Sequence, residues 1–295
     1  MRLKTLDIGS VGTEDVFGNL ADIEFVAFDT ETTGLSPVSS RLVEISGVKF
    51  KLGVDAAEVF SSLINPQCYI PREATRVHGI TNEMVESAPT VKEVVPNFFS
   101  WINVRNTVLL AHNASFDLGF LRVAANALQS PLPNKYVIDT LRLSRKLVSD
   151  VPNHQLATIV RHLGLPSGGY HRALADSYHV RNLLARLVEN YSLRYWQDIS
   201  DLNGLLRMRQ EQHSGETPVQ VQNFVQVINA AISENRPVSF RYNGLRSRAR
   251  RVKPQAVVEN KGNFYLTAFC YHFEAERTFR LDKMSEVKLM AAAGR

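Results

Sequence analysis

The sequence predicts an α/β protein, a mixed sheet flanked by helices, followed by a small, mostly β unit. Three observations predict it. Apolar, β-rich runs over 23–29, 41–51 and 56–64 are separated only by short turns, the pattern of antiparallel neighbours. After Pro66 the pattern alternates between helical and strand-like periodicity, which builds a sheet with helices against it. After Pro237 short strands recur at even spacing, the signature of a small barrel or a strongly bent sheet.

The elements follow in chain order. Ile23 to Phe28 is β-branched and aromatic and reads as a buried strand. Arg41 to Phe50 alternates in part. Thr107–Leu110 is a short apolar strand running into a helix over 115–128. A strand over 135–138 precedes helices that continue to about 190, the last over 173–190 after the loop Gly168-Gly169. Residues 191–212 read as an amphipathic helix with Leu193, Trp196, Ile199, Leu202, Leu205 and Leu206 on its apolar side. His213 to Pro218 breaks the pattern, a helix follows to Asn235, and strands are expected at Val238–Asn243, Ala256–Glu259, Asn263–Phe269 and Arg277–Leu281. Phe269 is expected in the core of this unit. The organisation expected is an N-terminal extension (1–20), a first domain (21–190), a helical linker (191–218) and a second domain (219–295).

Composition narrows the class. The chain has 295 residues, 44% hydrophobic, enough for two cores. Its two cysteines, Cys68 and Cys270, lack metal-site spacing, which argues against a disulfide framework or zinc site and suits a reducing cytoplasm. No run approaches the ~20 apolar residues of a membrane span, so no membrane partner is expected. The formal charge is +5, and residues 219–295 carry thirteen Lys and Arg against six Asp and Glu. The first 218 residues are therefore slightly acidic, and the basic excess sits in the second domain. Its densest run is Arg246-Ser247-Arg248-Ala249-Arg250-Arg251, which reads as a solvated surface or as a phosphate-binding one.

Four clusters carry chemistry. Asp29 and Glu31 lie two apart at the end of a strand, so their carboxylates project from one face. Like charges that close need compensation, for which a divalent cation serves; two exposed acids on an edge strand is the plain alternative. Asp117 falls in the first turn of a helix, where the dipole alone favours an acid. His171 and Asp176 are five apart, about 140° around a continuous helix, so both reach one site only if His171 is on the loop. Asp139 starts a helix and reads as an N-cap with a structural role.

Taken together, Phe28-Asp29-Thr30-Glu31-Thr32-Thr33-Gly34-Leu35, His112-Asn113-Ala114-Ser115-Phe116-Asp117 and His171-Arg172-Ala173-Leu174-Ala175-Asp176 resemble the three motifs of the DEDDh, or DnaQ-like, exonucleases, a family that includes the epsilon proofreading subunit of bacterial DNA polymerase III. The resemblance covers about residues 20–190 and implies a ribonuclease H-like fold and a 3′–5′ exonuclease. It implies that Asp29, Glu31, Asp117 and Asp176 hold two Mg²⁺ or Mn²⁺ ions, that Asp29 bridges them, and that His171 is the general base. Thr30, Glu31 and Thr32 would meet the terminal nucleotide, with His112, Asn113 and Phe116 lining the same cleft. The implied partner is single-stranded or frayed DNA, with RNA trimming or a purely nucleic-acid-sensing role as alternatives; polymerase association stays open.

The C-terminal stretch resembles the WYL domain, a small SH3-like barrel, through Tyr242, Arg251-Val252-Lys253-Pro254, Phe264-Tyr265-Leu266 and Arg277 to Met284. Phe264 replaces the namesake Trp, and Lys283 replaces an Arg. The resemblance implies a nucleic-acid or nucleotide-like ligand at Tyr242, Arg251, Arg277 and Arg280.

Overall fold

The structure, a computed structural model, describes residues 18–208, 218–243, 248–260 and 263–291. Most of the expected N-terminal extension, residues 209–217 of the expected linker and part of the Arg246–Arg251 run lie outside the described residues.

The first sheet contains β1 (Glu24–Thr32), β2 (Leu42–Phe50), β3 (Glu58–Leu63), β4 (Thr107–Ala111), β5 (Tyr136–Asp139) and β6 (Leu205–Arg207), in the order β3-β2-β1-β4-β5-β6. β1 pairs antiparallel with β2, and β2 with β3, as the short turns between them require. β1–β4 and β4–β5 are parallel, which their helical crossovers permit. Helices α1 (Arg72–His78), α2 (Asn82–Val85) and α3 (Val91–Ile102) lie between β3 and β4, and α4 (Ser115–Leu128) between β4 and β5. After β5 come α5 (Thr140–Leu147), α6 (Leu156–His162), α7 (Ala173–Asn190) and α8 (Trp196–Asp201).

Strand alternation divides the core. Val26 and Phe28 of β1 pack toward α3 and α4 with Val95, Phe98, Leu118 and Leu121. Phe25 and Ala27 face the other way, toward Val180, Leu183, Leu184 and Leu187 of α7. The same alternation turns Asp29 and Glu31 toward α7 and Thr30 toward α4.

The amphipathic helix expected over 191–212 is corrected: among the described residues of that stretch only Trp196–Asp201 is α-helical, and Leu205–Arg207 is the strand β6, antiparallel to β5. Asn203 turns the chain at φ 55°, and Gly204 packs so closely that a Cβ there would lie 2.5 Å from Leu143 Cδ2. The stretch thus completes the first sheet.

The second unit contains α9 (Val219–Ser233) and a five-stranded antiparallel sheet of β7 (Val238–Tyr242), β8 (Arg250–Asn260), β9 (Asn263–Cys270), β10 (Ala275–Arg280) and β11 (Met284–Leu289), in the order β10-β9-β8-β7-β11. Among the described residues β10 and β11 do not pair, so the sheet is open where a closed SH3-like barrel was expected. The helix supplies the apolar cover that closure would give: Val221, Ile228 and Ala231 pack on Val238, Phe240, Leu266 and Phe279. Phe269, expected in this core, is only half-buried and faces away with Tyr271, its ring edge-on at 5.8 Å. Strand alternation explains this, because Leu266, Ala268 and Cys270 take the core face. β8 lies against α4 of the first unit, with Ala256 and Val258 near Phe120 and Val123.

Candidate active site

The site forms where the C-terminal end of β1 meets the N-terminal turn of α7. Carboxylate oxygens of Asp29, Glu31 and Asp176 all lie within 4.8 Å of one another. Asp29 and Glu31 are placed by the period of the strand; Asp176 is placed by the first turn of α7. Asp117, in the first turn of α4, stands close enough to raise the Asp29 pKa, but its Oδ1 accepts from Thr30 N (3.1 Å) and Thr30 Oγ1 (2.7 Å). β1 therefore presents two acids on one face and uses the residue between them to hold a third.

Electrostatics marks the cluster as incomplete. Burial, then the charges of Asp117, Glu31 and Asp176, raise Asp29 well above the usual carboxylate range, although its side chain keeps some contact with solvent. Burial and the neighbouring Asp176, Glu44 and Asp117 push Glu31 to about 8. Burial pushes Asp117 to about 7 against the hydrogen bonds from Thr30. Asp176 is raised by burial as well. Its two oxygens differ: Oδ2 accepts from His171 N at 2.8 Å, whereas Oδ1 is buried with no hydrogen-bond partner. A buried acceptor without a donor is costly, and oxygen-only donors at this spacing suit a hard divalent cation. The residues present fit a divalent-cation centre.

His171 lies on the loop before α7, as its spacing from Asp176 requires, with φ 64° after Gly168 (φ 123°) and Gly169 (φ 66°). It is exposed and, with Asp176, borders a cleft of about 600 Å³. His112, Asn113, Tyr170 and His154 line the same cleft. Both ring nitrogens of His112 are engaged, Nδ1 with Thr140 Oγ1 (3.0 Å) and Nε2 with the His154 carbonyl (2.8 Å). A carbonyl only accepts, so Nε2 carries the proton, and burial lowers the ring's pKa, keeping it neutral. Asn113 takes φ 67° and donates its N–H to Asp139 Oδ1, which also caps α5 through Leu141 N. Asp139 has the structural role its sequence context indicates.

The remaining expected contacts divide. Thr32 donates its hydroxyl to the Gly34 carbonyl (2.7 Å), so like Thr30 it uses its side-chain proton within the protein. Phe116 is half-buried and lies tilted against Phe120, ring centroids 5.1 Å apart, at the core on the α4 side. Tyr242 also belongs to a core: it sits edge-on to Phe279 (5.2 Å), and its hydroxyl accepts from Arg280 N. Arg280 pairs with Asp282 at 2.6 Å. Arg251 and Arg277 instead lie beside Tyr271 and Phe273. The four residues expected to form one ligand site thus fall in two places.

Glu44 is outside the motif set yet central to the geometry. It is buried opposite Glu31 in the β1–β2 register. Its carboxylate accepts from Arg172 Nη2 (2.8 Å), Arg172 Nε (3.2 Å) and Ala173 N (2.9 Å). This bidentate pair fastens the start of α7, and so Asp176, to β2, and neutralises a further negative charge beside Glu31. The signal in the sequence is a lone acid between Val43 and Ile45, which periodicity cannot distinguish from an exposed strand residue.

Comparison with known proteins identifies two families along the chain. The RNase_T family model, described as Exonuclease, matches residues 26–184, and the WYL domain model matches residues 223–289. The chain is 39% identical over 171 residues to the PolC-type DNA polymerase III of Oceanobacillus iheyensis, covering 58% of this chain and 12% of that protein. It is 32% identical over 225 residues to the PolC-type enzyme of Latilactobacillus sakei, covering 73% and 15%. The chain thus spans a small fraction of the curated relatives it matches. Among solved structures, exonuclease I of E. coli in complex with a dA16 oligonucleotide aligns with a TM-score of 0.52 at 18% identity, over 84% of this chain and 55% of that one. This likeness is one of fold.

Proposed function

Because the chain belongs to the exonuclease family of the RNase_T model and carries a WYL domain after it, we propose that it is a metal-dependent 3′–5′ exonuclease that releases mononucleotides from DNA. The observation that carries this reading is the convergence of Asp29, Glu31 and Asp176 within 4.8 Å around a buried, partnerless Asp176 oxygen. Asp29, Glu31 and Asp176 would hold one ion, and Asp29 with Asp117 a second. Such ions supply charge stabilisation to the attacking and leaving oxygens of a phosphodiester and lower the pKa of water.

The chain's own residues then have separate tasks. His171 stands at the mouth of the cleft beside Asp176, where its imidazole accepts the proton of the attacking water. The loop that carries it is tied to Asp176 through its backbone N–H, which donates to Oδ2 at 2.8 Å. Glu44 and Arg172 hold the helix that delivers both. The backbone of Thr30 to Thr32 and the cleft wall at His112 and Asn113 receive the terminal nucleotide. The basic second unit holds the rest of the strand. A DNA-processing role apart from a replicase suits a chain whose exonuclease unit is followed by a WYL domain.

The test is a time course on 5′-labelled DNA and RNA, single- and double-stranded, with Mg²⁺ or with chelator. The expected result is a ladder of DNA products shortening one nucleotide at a time, abolished by chelator and by Asp29→Asn or Asp176→Asn. Release of the 5′ label as a mononucleotide before shortened strands appear, or wild-type rates in either variant, overturns the proposal; faster degradation of RNA reassigns the substrate.

A further inference from the structure

The loop that carries His171 does not fix its own shape. Three of the four residues from Gly168 to His171 take positive φ: Gly168 (123°), Gly169 (66°) and His171 (64°). The two glycines have many other conformations open to them, so the backbone alone does not decide where His171 stands. Contacts with α7 must do so. One is the Asp176 carboxylate, which accepts from the His171 N–H. The others come from a residue outside the three motifs, His179, which lies one turn beyond Asp176 on the same face of α7.

His179 is buried, with 7% of its surface exposed. Its Nε2 lies 2.8 Å from the Gly168 carbonyl. A carbonyl only accepts, so Nε2 carries the proton and donates it. The face of the same ring meets Tyr170, with centroids 4.5 Å apart and planes inclined at 29°. One imidazole thus grips the loop on both sides of Gly169, and the second grip is on the residue joined to His171. Tyr170, His171 and Asp176 border the cleft; His179 stands behind Tyr170. Packing alone would not select this arrangement. Among the described residues His179 Nδ1 is buried with no hydrogen-bond partner, a cost that an apolar ring of the same shape avoids. Phenylalanine would keep the stack and remove the orphan nitrogen. It would lose only the donor to Gly168, so that donor is what the imidazole supplies.

We infer that His179 is a positioning residue for the hydrolytic step. Its Nε2–H and its ring face hold the 168–171 loop in the conformation that puts His171 at the mouth of the cleft. The inference deepens the exonuclease reading above, and its kinetic part rests on that reading. It adds no group to the chemistry: His179 acts through His171. A general base must stand within hydrogen-bond reach of the water it deprotonates, and a displacement of about 1 Å can cost about 10²-fold in rate. Releasing Gly168 frees the glycine pair to make such a displacement.

The test uses the full-length protein, with His179→Phe to keep the stack without the donor and His179→Gln to return an amide N–H donor. The first readout is amide hydrogen exchange in chelator, which needs no activity. In His179→Phe the His171 amide, which donates to Asp176, is expected to exchange at least about fivefold faster, while the Leu183 and Leu184 amides of the same helix keep their rates. The second is a double-mutant cycle with His171→Ala on DNA shortening. His179→Phe alone is expected to lower kcat by about 10- to 100-fold with KM within about twofold, and His179→Gln to recover most of that loss. In the His171→Ala background His179→Phe is expected to cost less than about twofold more, because the base it positions is already gone. A residue that only supports the fold would cost the same factor in both backgrounds. Unchanged His171 exchange in His179→Phe, equal kcat losses in the two backgrounds, or no recovery in His179→Gln overturns the inference. The two readings fail separately: a wild type that does not shorten DNA removes the nuclease and leaves the exchange rates to decide the loop, whereas an active wild type whose His171 exchange ignores His179→Phe keeps the nuclease and removes His179 from it.

Discussion

Glu31→Gln tests the electrostatic state of the cluster directly. Burial beside Asp176, Glu44 and Asp117 raises the Glu31 carboxyl from 4.5 to about 8. Between those values the folded, metal-free chain keeps a proton that the unfolded chain releases. The unfolded state then binds fewer protons, so stability falls as pH rises from about 4.5 to about 8. At ~1.36 kcal/mol per pH unit over that window, the ionised side chain costs roughly 4–5 kcal/mol once pH exceeds 8. The neighbouring carboxylates share these protons, and we assign about half, ~2 kcal/mol, to this one charge. Glutamine removes the charge at similar volume. Thermal unfolding in chelator should show Glu31→Gln melting roughly 4–8 °C above wild type at pH 8.5, at ~2–4 °C per kcal/mol for a chain of this size, and close to it at pH 5. Saturating Mg²⁺ should reverse the order, because a site filled at 100 times its Kd stabilises the wild type by ~2.7 kcal/mol and the variant has lost a ligand. A variant no more stable than wild type at pH 8.5 in chelator refutes the buried charge repulsion, and one that gains as much from Mg²⁺ refutes the metal-ligand assignment.

Further outcomes follow from the same geometry. His171→Ala should lower kcat by about 10²–10⁴ with little change in Mg²⁺-induced stabilisation; a kcat within a few-fold of wild type removes His171 as the base. Glu44→Gln should lower activity at least about tenfold, because Arg172 and Ala173 lose their charged acceptor; retention of full activity would show that α7 is held in place without it. Gly204→Ala should destabilise the protein by ~1–3 kcal/mol, since its Cβ would meet Leu143, and an unchanged melting temperature would contradict the close packing of β6 beside α5.

Much of this molecule is legible along the chain. β1 to β5, α4 and α7 lie within a few residues of their expected bounds, and α7 spans Ala173–Asn190 as read. These elements carry clear apolar runs or helical periodicity. Pairing Asp29 with Glu31, placing His171 on a loop and making Asp139 a cap also required only local rules. Sequence reading fails where one pattern serves two structures. Leu205 and Leu206 continue a helical stripe on paper, yet the open edge of β5 captures them as a strand. Met284–Leu289 carries too weak an alternation to announce β11, and the openness of the second sheet depends on α9 covering its apolar face.

What the sequence determined alone is the chemistry available: four acids and a histidine in ordered motifs, and a basic C-terminal unit, because residue types and the periods of helix and strand are local properties. What only the tertiary structure decided is which groups meet. Asp176 reaches Asp29 across 147 residues of chain, Glu44 fastens Arg172 from 128 residues away, and Arg250 and Arg277 converge on Phe273 from two strands. Such meetings are set by how buried surfaces pack and which charges must be satisfied there, and no local period encodes them.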